Sequence, residues 1–430
     1  MSTYITVHRV LSMPVSLPVR GADGLAKRAP YGGVERQRLS SQSIKAHLRS
    51  DATGMAKFAA SIGEAKSVRS ALIGEALIAP RIEAEAQVPA DDAKAWADAI
   101  MALFGADESK SSSNAKAKGK KSKNEEADTE TDTVTSDETR DADEKGAQIL
   151  VLGQREIDAL VTLGVTMAKA GVPATDLRGL VEMPSKRTAK GKKGQANEGM
   201  PLVPQSVRDA LAALDAMAAH SGLDGAMFGR MTTGVALSRV DSAVHVGHAL
   251  TVHGIQSAVD FWSAQDELRT DDAGAAHINT RELTTGVYYM PIVINLDQLR
   301  TNLSTIDGNG IRAVVQWLIE AISTVTPAAM LGSTAPYPDP GEVMVEVSSR
   351  QPVTMMAAFE RPVPPTLDAA VTALNAHARR VWAMVGKPSY TSTLSSFIDE
   401  HADTPAVIRF AEAVADAAVP ASTTSNMSAG

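Results

Sequence analysis

The stretch Arg36 to Ser50, RQRLSSQSIKAHLRS, gathers four bases (Arg36, Arg38, Lys45 and Arg49) around the polar residues Ser40, Ser41, Gln42 and Ser43. These residue types bind anions. Lys and Arg neutralise phosphates, and hydroxyls and amides donate to phosphate or ribose oxygens. A helix start adds backbone N–H groups without intrahelical partners and a partial positive charge. The pattern predicts a helix from Ser41 onward with Ser40 as its N-cap. At about 100° per residue, Gln42, Lys45 and Arg49 share one face, and Ile44, Leu48 and Met55 share the opposite, apolar face. Arg36 and Arg38 alternate in an extended run before the helix, so in a strand both point the same way. The expected chemistry is a cradle for a polyanion backbone with no preference for a particular base. The competing reading is a capped amphipathic surface helix whose charges are simply solvated.

The elements that must position this stretch belong to a chain of 430 residues with formal charge -8. That length suggests two or three domain-sized units, and 44% apolar residues suffice for a core. The charge is uneven. Residues 1–50 carry Arg9, Arg20, Lys27, Arg28, Arg36, Arg38, Lys45 and Arg49 against only Asp23 and Glu35. Screening acts over about 8–10 Å, so a local basic patch can bind a polyanion on a net acidic protein. There is no cysteine, which excludes disulfides and thiolate metal sites. The N-terminus lacks the apolar run of a signal peptide, and no stretch reaches the roughly 18 consecutive apolar residues of a membrane span. The expectation is a soluble cytoplasmic protein with no membrane partner.

Tyr4 to Val10 predicts a first strand, and residues 12–38, rich in Pro and Gly, a long loop. Helical patterns follow in SIKAHLRSDATGMAKFAA, SVRSALIGEALIAPRI and DDAKAWADAIMALF, then in AQILVLGQREIDALVTLGVTMAKAG and PQSVRDALAALDAMAAH. Asp107 to Lys145 has no aromatic residue and only Val134 as a large aliphatic, which predicts a disordered insertion. Ser185 to Gly199 predicts a flexible polar loop. From Gly225 the texture turns to strands, including TTGVYYMPIVINL. IRAVVQWLIEAI reads as a helix, EVMVEVSS and VTMMAAF as short strands, and TLDAAVTALNAHARRVWAMV and TPAVIRFAEAVADAA as closing helices. The order is β–α–(helical insertion)–β–β–α–β. It predicts an α+β fold with a ferredoxin-like core, the architecture that also underlies the RNA recognition motif, although that module's aromatic signature is missing.

Other candidate chemistry is thin. His245, His248 and His253 lie close in HVGHALTVH, but on a strand the first two point to opposite faces, and no carboxylate motif accompanies them. Asp23 sits in the basic loop, where a lone Asp is usually a turn residue. No phosphate-binding loop of the Gly-x4-Gly-Lys-Ser/Thr type occurs. No metal, cofactor or catalytic residue is expected.

YGGVERQRLSSQSIKAHLR resembles the N-terminal signature of the CasC family, the backbone subunit of the type I-E CRISPR Cascade complex. Three further blocks follow in order: FGRMTTGVALSRVDSAVHVGHALTVHGIQSAVDFWSAQDEL, AAHINTRELTTGVYYMPIVINLDQLRTNL and RQPVTMMAAFERPV. The resemblance implies a hand-shaped subunit with an RRM-like palm, helical fingers and a β-hairpin thumb. Its first palm part falls at 1–50 and the fingers at 51–224, holding the insertions 107–145 and 185–199. A palm strand falls at 225–250, the thumb at 251–285, the second palm part with the closing helices at 286–417, and a disordered tail at 418–430. It implies several copies stacked as a helical filament on one CRISPR RNA, with one nucleotide in roughly every six displaced by a thumb and the others free to pair with target DNA. Other Cascade subunits and a recruited helicase-nuclease would be partners, and the subunit itself would be non-catalytic. RNA contacts carry over to Arg20 and Lys27 in the basic loop and to Ser40, Gln42, Lys45 and Arg49 at the helix start. Met231 would wedge against bases beside Arg230, and Trp262 and Ser263 would flank the displaced nucleotide. The neighbouring Arg36 and Arg38 complete the candidate set. Two alternatives stand: a monomeric general single-strand binder, and a type III-like subunit that cuts target RNA with Asp23.

Overall fold

The computed structural model describes residues 2–102, 149–174, 204–216, 221–230, 239–265, 275–396 and 404–420. The insertion 107–145, the loop 185–199, Met231 and residues 421–430 of the tail lie outside the described residues. The chain divides into two compact units, residues 1–62 with 243–430, and residues 63–242.

The first unit is built on one antiparallel sheet. Its strands are β1 (Tyr4–Ser16), β2 (Arg28–Tyr31), β3 (Val34–Leu39), β6 (Val244–Val246), β7 (Ala249–Thr251), β8 (Gln256–Gln265), β9 (Ala275–Asn295), β10 (Glu342–Ser348) and β11 (Tyr390–Ser395). The spatial order is β11-β10-β1-β9-β7-β3-β2, with β6 and β8 also paired to β9. Helix α1 (Ser41–Leu48) follows β3, and α9 (Gly308–Thr324) precedes β10. The core therefore runs β1, α1, β6/β7, β9, α9, β10 along the chain and β10-β1-β9-β7 in space, the ferredoxin-like arrangement. Between β10 and β9, β1 is buried almost continuously from Ile5 to Leu11. Two polar residues of this run have internal partners. Arg9 donates to the carbonyls of Pro340, Ile322 and Val325 at 3.1, 2.9 and 2.7 Å, and His8 pairs with the Tyr289 hydroxyl at 2.8 Å.

Residues 12–38 are not a long loop. β1 runs on to Ser16, an Arg20–Ala26 bridge closes a small turn, and β2 and β3 form a hairpin across Gly32 and Gly33. Both glycines have positive φ (62° and 81°), and a Cβ on Gly32 would stand 1.7 Å from the Glu360 carbonyl oxygen. Pro and Gly mark hairpin turns as well as open loops, so composition could not separate the two. The helix predicted from Ser41 is also interrupted. α1 stops at Leu48, and α2 (Met55–Ser61) restarts after the left-handed Gly54. Ile44, Leu48 and Met55 are nevertheless all buried. α2 stays with the first unit because Phe58 stacks on Trp317 at 5.2 Å and the Trp317 indole N–H donates to the Thr53 carbonyl at 3.2 Å. The second unit thus begins at Gly63.

The second unit contains β4 (Val68–Ser70) paired with β5 (Leu150–Leu152), and the helices α3 (Ala79–Ala86), α4 (Ala90–Ala102), α5 (Gln154–Lys169), α6 (Gln205–Ala216) and α7 (Gly222–Phe228). Ile82, Trp96, Ile100, Ile157, Leu160 and Met167 form its core. Strand texture was expected from Gly225, but Gly222–Phe228 is a helix buried on every side. Full burial removes the polar face whose period separates a helix from a strand. Its Asp224 accepts from the Ser67 backbone N–H and hydroxyl, each at 2.7 Å.

Near the C-terminus, α8 (Leu296–Asn302), α10 (Leu367–Val385) and α11 (Ala406–Ala418) complete the first unit. Residues 356–359, expected in a strand, form a 3-10 turn, anchored where the Met355 N–H donates to the Tyr289 hydroxyl at 2.7 Å. β11 was missed because its half-exposed edge position leaves little apolar alternation. Among the described residues, no helix is long and apolar enough to cross a membrane.

Candidate nucleic-acid interface

The β2–β3 hairpin and α1 position the basic residues. The Arg38 N–H donates to the Lys27 carbonyl at 2.8 Å, continuing the register in which Arg28 opposes Gln37. Residues opposed in this way share a sheet face, so Lys27 and Arg38 are neighbours. Arg20 is exposed on the adjoining turn. Two residues after Arg38 the chain enters α1, which carries Gln42 exposed and Lys45 and Arg49 half-buried along one side. Arg20, Lys27, Arg38, Gln42, Lys45 and Arg49 therefore lie on consecutive turns of one substructure.

Three expected contacts are redirected by the fold. Arg36 is fully buried, and its guanidinium donates to the carbonyls of Tyr31, Thr251 and Phe359 at 3.1, 2.9 and 2.8 Å. It ties β3 to β7 and to the 3-10 turn, and it presents no surface to a ligand. It does not share the exposure of Arg38, because the fold covers this part of the hairpin. Arg230 is buried in the second unit, where it donates to both oxygens of Glu156 at 2.7 and 2.6 Å and to the Val151 carbonyl at 3.2 Å. Ser40 is the predicted N-cap, but it is fully buried and its Oγ accepts the Ser43 N–H at 3.3 Å.

The helix start is also less open than expected. The Ser41 N–H already donates to His248 Nδ1 at 3.1 Å. Two of the backbone donors that could have met an anion are thus bonded inside the protein. Nothing in the local sequence signals this role for His248, which comes from β7's neighbourhood more than 200 residues away.

The β8–β9 hairpin supplies the second part of the candidate interface. Trp262 opposes Asn279, and Ser263 opposes Ile278, so the two candidates point to opposite faces of the hairpin. Trp262 is half-buried and Ser263 exposed. β9 continues without a break from this hairpin into the central sheet, where it pairs with β1. Glu282 anchors the hairpin root to the basic substructure: it accepts the Ala26 N–H at 2.7 Å and pairs with the Arg28 guanidinium. Arg28 was not among the candidates, and its partner could not be read from local spacing.

The remaining chemistry does not converge. Asp23 Oδ1 accepts the Leu25 N–H at 3.0 Å, a turn-closing bond. His245 is exposed on β6, whereas His253 is buried, donates from Nδ1 to the Gly254 carbonyl at 2.7 Å and accepts the Val287 N–H at Nε2 at 3.1 Å. Desolvation lowers the His253 pKa, in keeping with a neutral ring. Among the described residues, no group of three His, Asp or Glu side chains could hold a metal ion.

The family model described as CT1975-like protein, a Cas family, matches residues 5–416. A chain of a solved CRISPR RNA-guided surveillance complex in a pre-nicking state superposes with a TM-score of 0.67 at 24% identity, covering 96% of this chain and 100% of that one. A chain of a second CRISPR RNA-guided surveillance complex gives 0.58 at 22% identity, covering 96% and 99%. At these identities the likeness establishes the fold. No curated protein matches the chain. Because the family match spans nearly its whole length, this chain belongs to the CT1975-like family of Cas proteins.

Proposed function

We propose that this chain is a CRISPR RNA-binding backbone subunit of a type I-E Cascade surveillance complex, polymerised in the cytoplasm along one guide and not itself catalytic. The observation that carries this reading is the run of bases from Lys27 and Arg38 into the Gln42–Lys45–Arg49 side of α1, set on a sheet that also sends out the Trp262 hairpin. A guide must be held by its backbone, because its base edges have to remain readable and one subunit has to accept any spacer. Lys and Arg contacts to phosphate are blind to sequence. An aromatic such as Trp262 stacks on any base and offsets part of the cost of unstacking the guide. Other copies of the chain, other Cascade subunits and a recruited helicase-nuclease are the partners this role requires, and target DNA meets the complex through guide pairing. The likeness to chains of CRISPR RNA-guided surveillance complexes supports the reading.

Nuclease footprinting on a long guide RNA tests it. Exposed sites recurring about every six nucleotides are expected of stacked copies on a shared guide. Uniform protection favours a general single-strand binder, and failure to bind guide RNA at low salt sinks the proposal. Scission of target RNA that depends on Asp23 would favour a cleaving subunit.

A further inference from the structure

α1 carries a histidine on the flank away from its cations, and both of that ring's nitrogens face carbonyl oxygens. His47 Nδ1 lies 2.7 Å from the Ser43 carbonyl oxygen, and Nε2 lies 2.8 Å from the Ala328 carbonyl oxygen. A carbonyl oxygen only accepts, and a neutral imidazole has one N–H. Only the doubly protonated ring makes both bonds. The first bond is internal to α1; the second crosses to the segment that follows α9.

That segment needs holding. Met330 and Ala335 are both left-handed (φ 59° and 42°), a conformation disfavoured for residues with a Cβ, and they bracket the single helical turn Leu331–Thr334. Leu331 and Tyr337 are exposed on it. Residues 326–337 carry no ionisable group except the Tyr337 phenol. Lys45 and Arg49 share α1 with His47, His245 lies on β6, which packs against α1, and His248 bonds the Ser41 N–H at the helix start. Residues 326–337 thus supply no carboxylate to the ring; its polar partners are the two carbonyl oxygens.

We propose that His47, as the imidazolium, is a positioning residue that clamps α1, and with it the Gln42–Lys45–Arg49 face, onto the strained segment 326–337. Loss of the ring's second proton removes one of the two bonds and loosens the helix. The proposal deepens the RNA-binding reading and rests on it for its consequence, but the clamp itself can be tested without RNA.

In the RNA-free chain labelled with 15N-histidine, two slowly exchanging ring N–H signals should be lost in His47→Gln, while those of the buried His8 and His253 rings remain. Solvent-exposed ring N–H protons exchange too fast to be seen. Amide exchange across α1 should be about tenfold faster in His47→Gln than in wild type, the worth of one bond from a charged donor. With guide RNA, His47→Gln should bind more weakly than wild type while the salt slope of both is unchanged, because His47 positions and does not touch phosphate. Loss of only one ring N–H signal in His47→Gln, or unaltered α1 exchange, overturns the clamp. Equal RNA affinity of the two proteins overturns its role in gripping. An intact clamp in a chain that binds no RNA would instead count against the proposed function.

Discussion

Arg230 and Glu156 form an ion pair at 2.6 Å with their side chains 1% and 0% exposed. The pair joins the chain just after α7 to the first turn of α5, where Glu156 also accepts the Gly153 N–H at 2.9 Å. An arginine that resemblance places beside RNA bases is therefore a structural element of the second unit. Removing one partner strands a buried charge, so Arg230→Ala should cost about 3–5 kcal/mol, whereas Arg230→Met combined with Glu156→Leu should recover most of that loss. Denaturant unfolding of the three proteins checks this. Equal stability of Arg230→Ala and wild type would count against the pair.

The two kinds of arginine in the basic stretch should separate in binding experiments. Lys45→Ala with Arg49→Ala should leave the fold intact and weaken RNA binding, with the salt slope reduced by about 1.4, or about 0.7 per lost phosphate contact on a single strand. Arg36→Ala should instead destabilise the chain by about 3–5 kcal/mol, since three carbonyls lose a buried charged donor. Filter-binding titrations across salt, paired with thermal melts, distinguish the two. An unaltered slope in the double variant would remove α1 from the interface.

Trp262 is half-buried on a hairpin and not in the main core. Trp262→Ala should keep its circular dichroism spectrum and lose guide-dependent assembly. The loss per copy corresponds to about 1–3 kcal/mol of base stacking. Sedimentation on guide RNA reads the assembly. If the variant unfolds, the indole is part of the fold's packing and not a base platform.

The His8 ring provides a pH test of the sheet. The Tyr289 hydroxyl accepts the Met355 N–H, so its own proton goes to His8 Nδ1, and the ring is neutral with its proton on Nε2. Burial pushes the His8 pKa from 6.5 down to about 3, so its 3.8 Å approach to Glu346 is not an ion pair at neutral pH. The unfolded chain then binds more protons than the fold between about pH 6.5 and about pH 3, and stability falls as pH drops through that window, by at most about 5 kcal/mol from this group. Glu346, whose carboxyl is raised by burial, contributes with the opposite sign. His8→Gln should show a flatter stability curve over the same range in urea titrations. Parallel curves for the two proteins would exclude His8 as the source.

Much of the architecture was legible because its signals are local. The N-cap at Ser40, the apolar side formed by Ile44 and Leu48, and the long amphipathic patterns of α5, α9, α10 and α11 are written in windows of about 8–20 residues, and each is present in the fold. The α+β class and the β–α–β–β–α–β order follow from stringing such windows together. Misreadings arose where burial erased the periodic signal, as in the helix Gly222–Phe228, or where glycines served as hairpin turns, as at Gly32 and Gly33.

The sequence by itself determined a local basic cluster, its placement at a helix start and the elements that carry it. Only the tertiary structure decided which of its groups are available. Arg36 meets carbonyls at Thr251 and Phe359, Arg230 meets Glu156, and the Ser41 N–H meets His248. Each partner is between 74 and 323 positions away in the chain, so no local window contains both halves of the bond. The reason is physical: a buried donor must find an acceptor, and the fold alone brings those acceptors within reach.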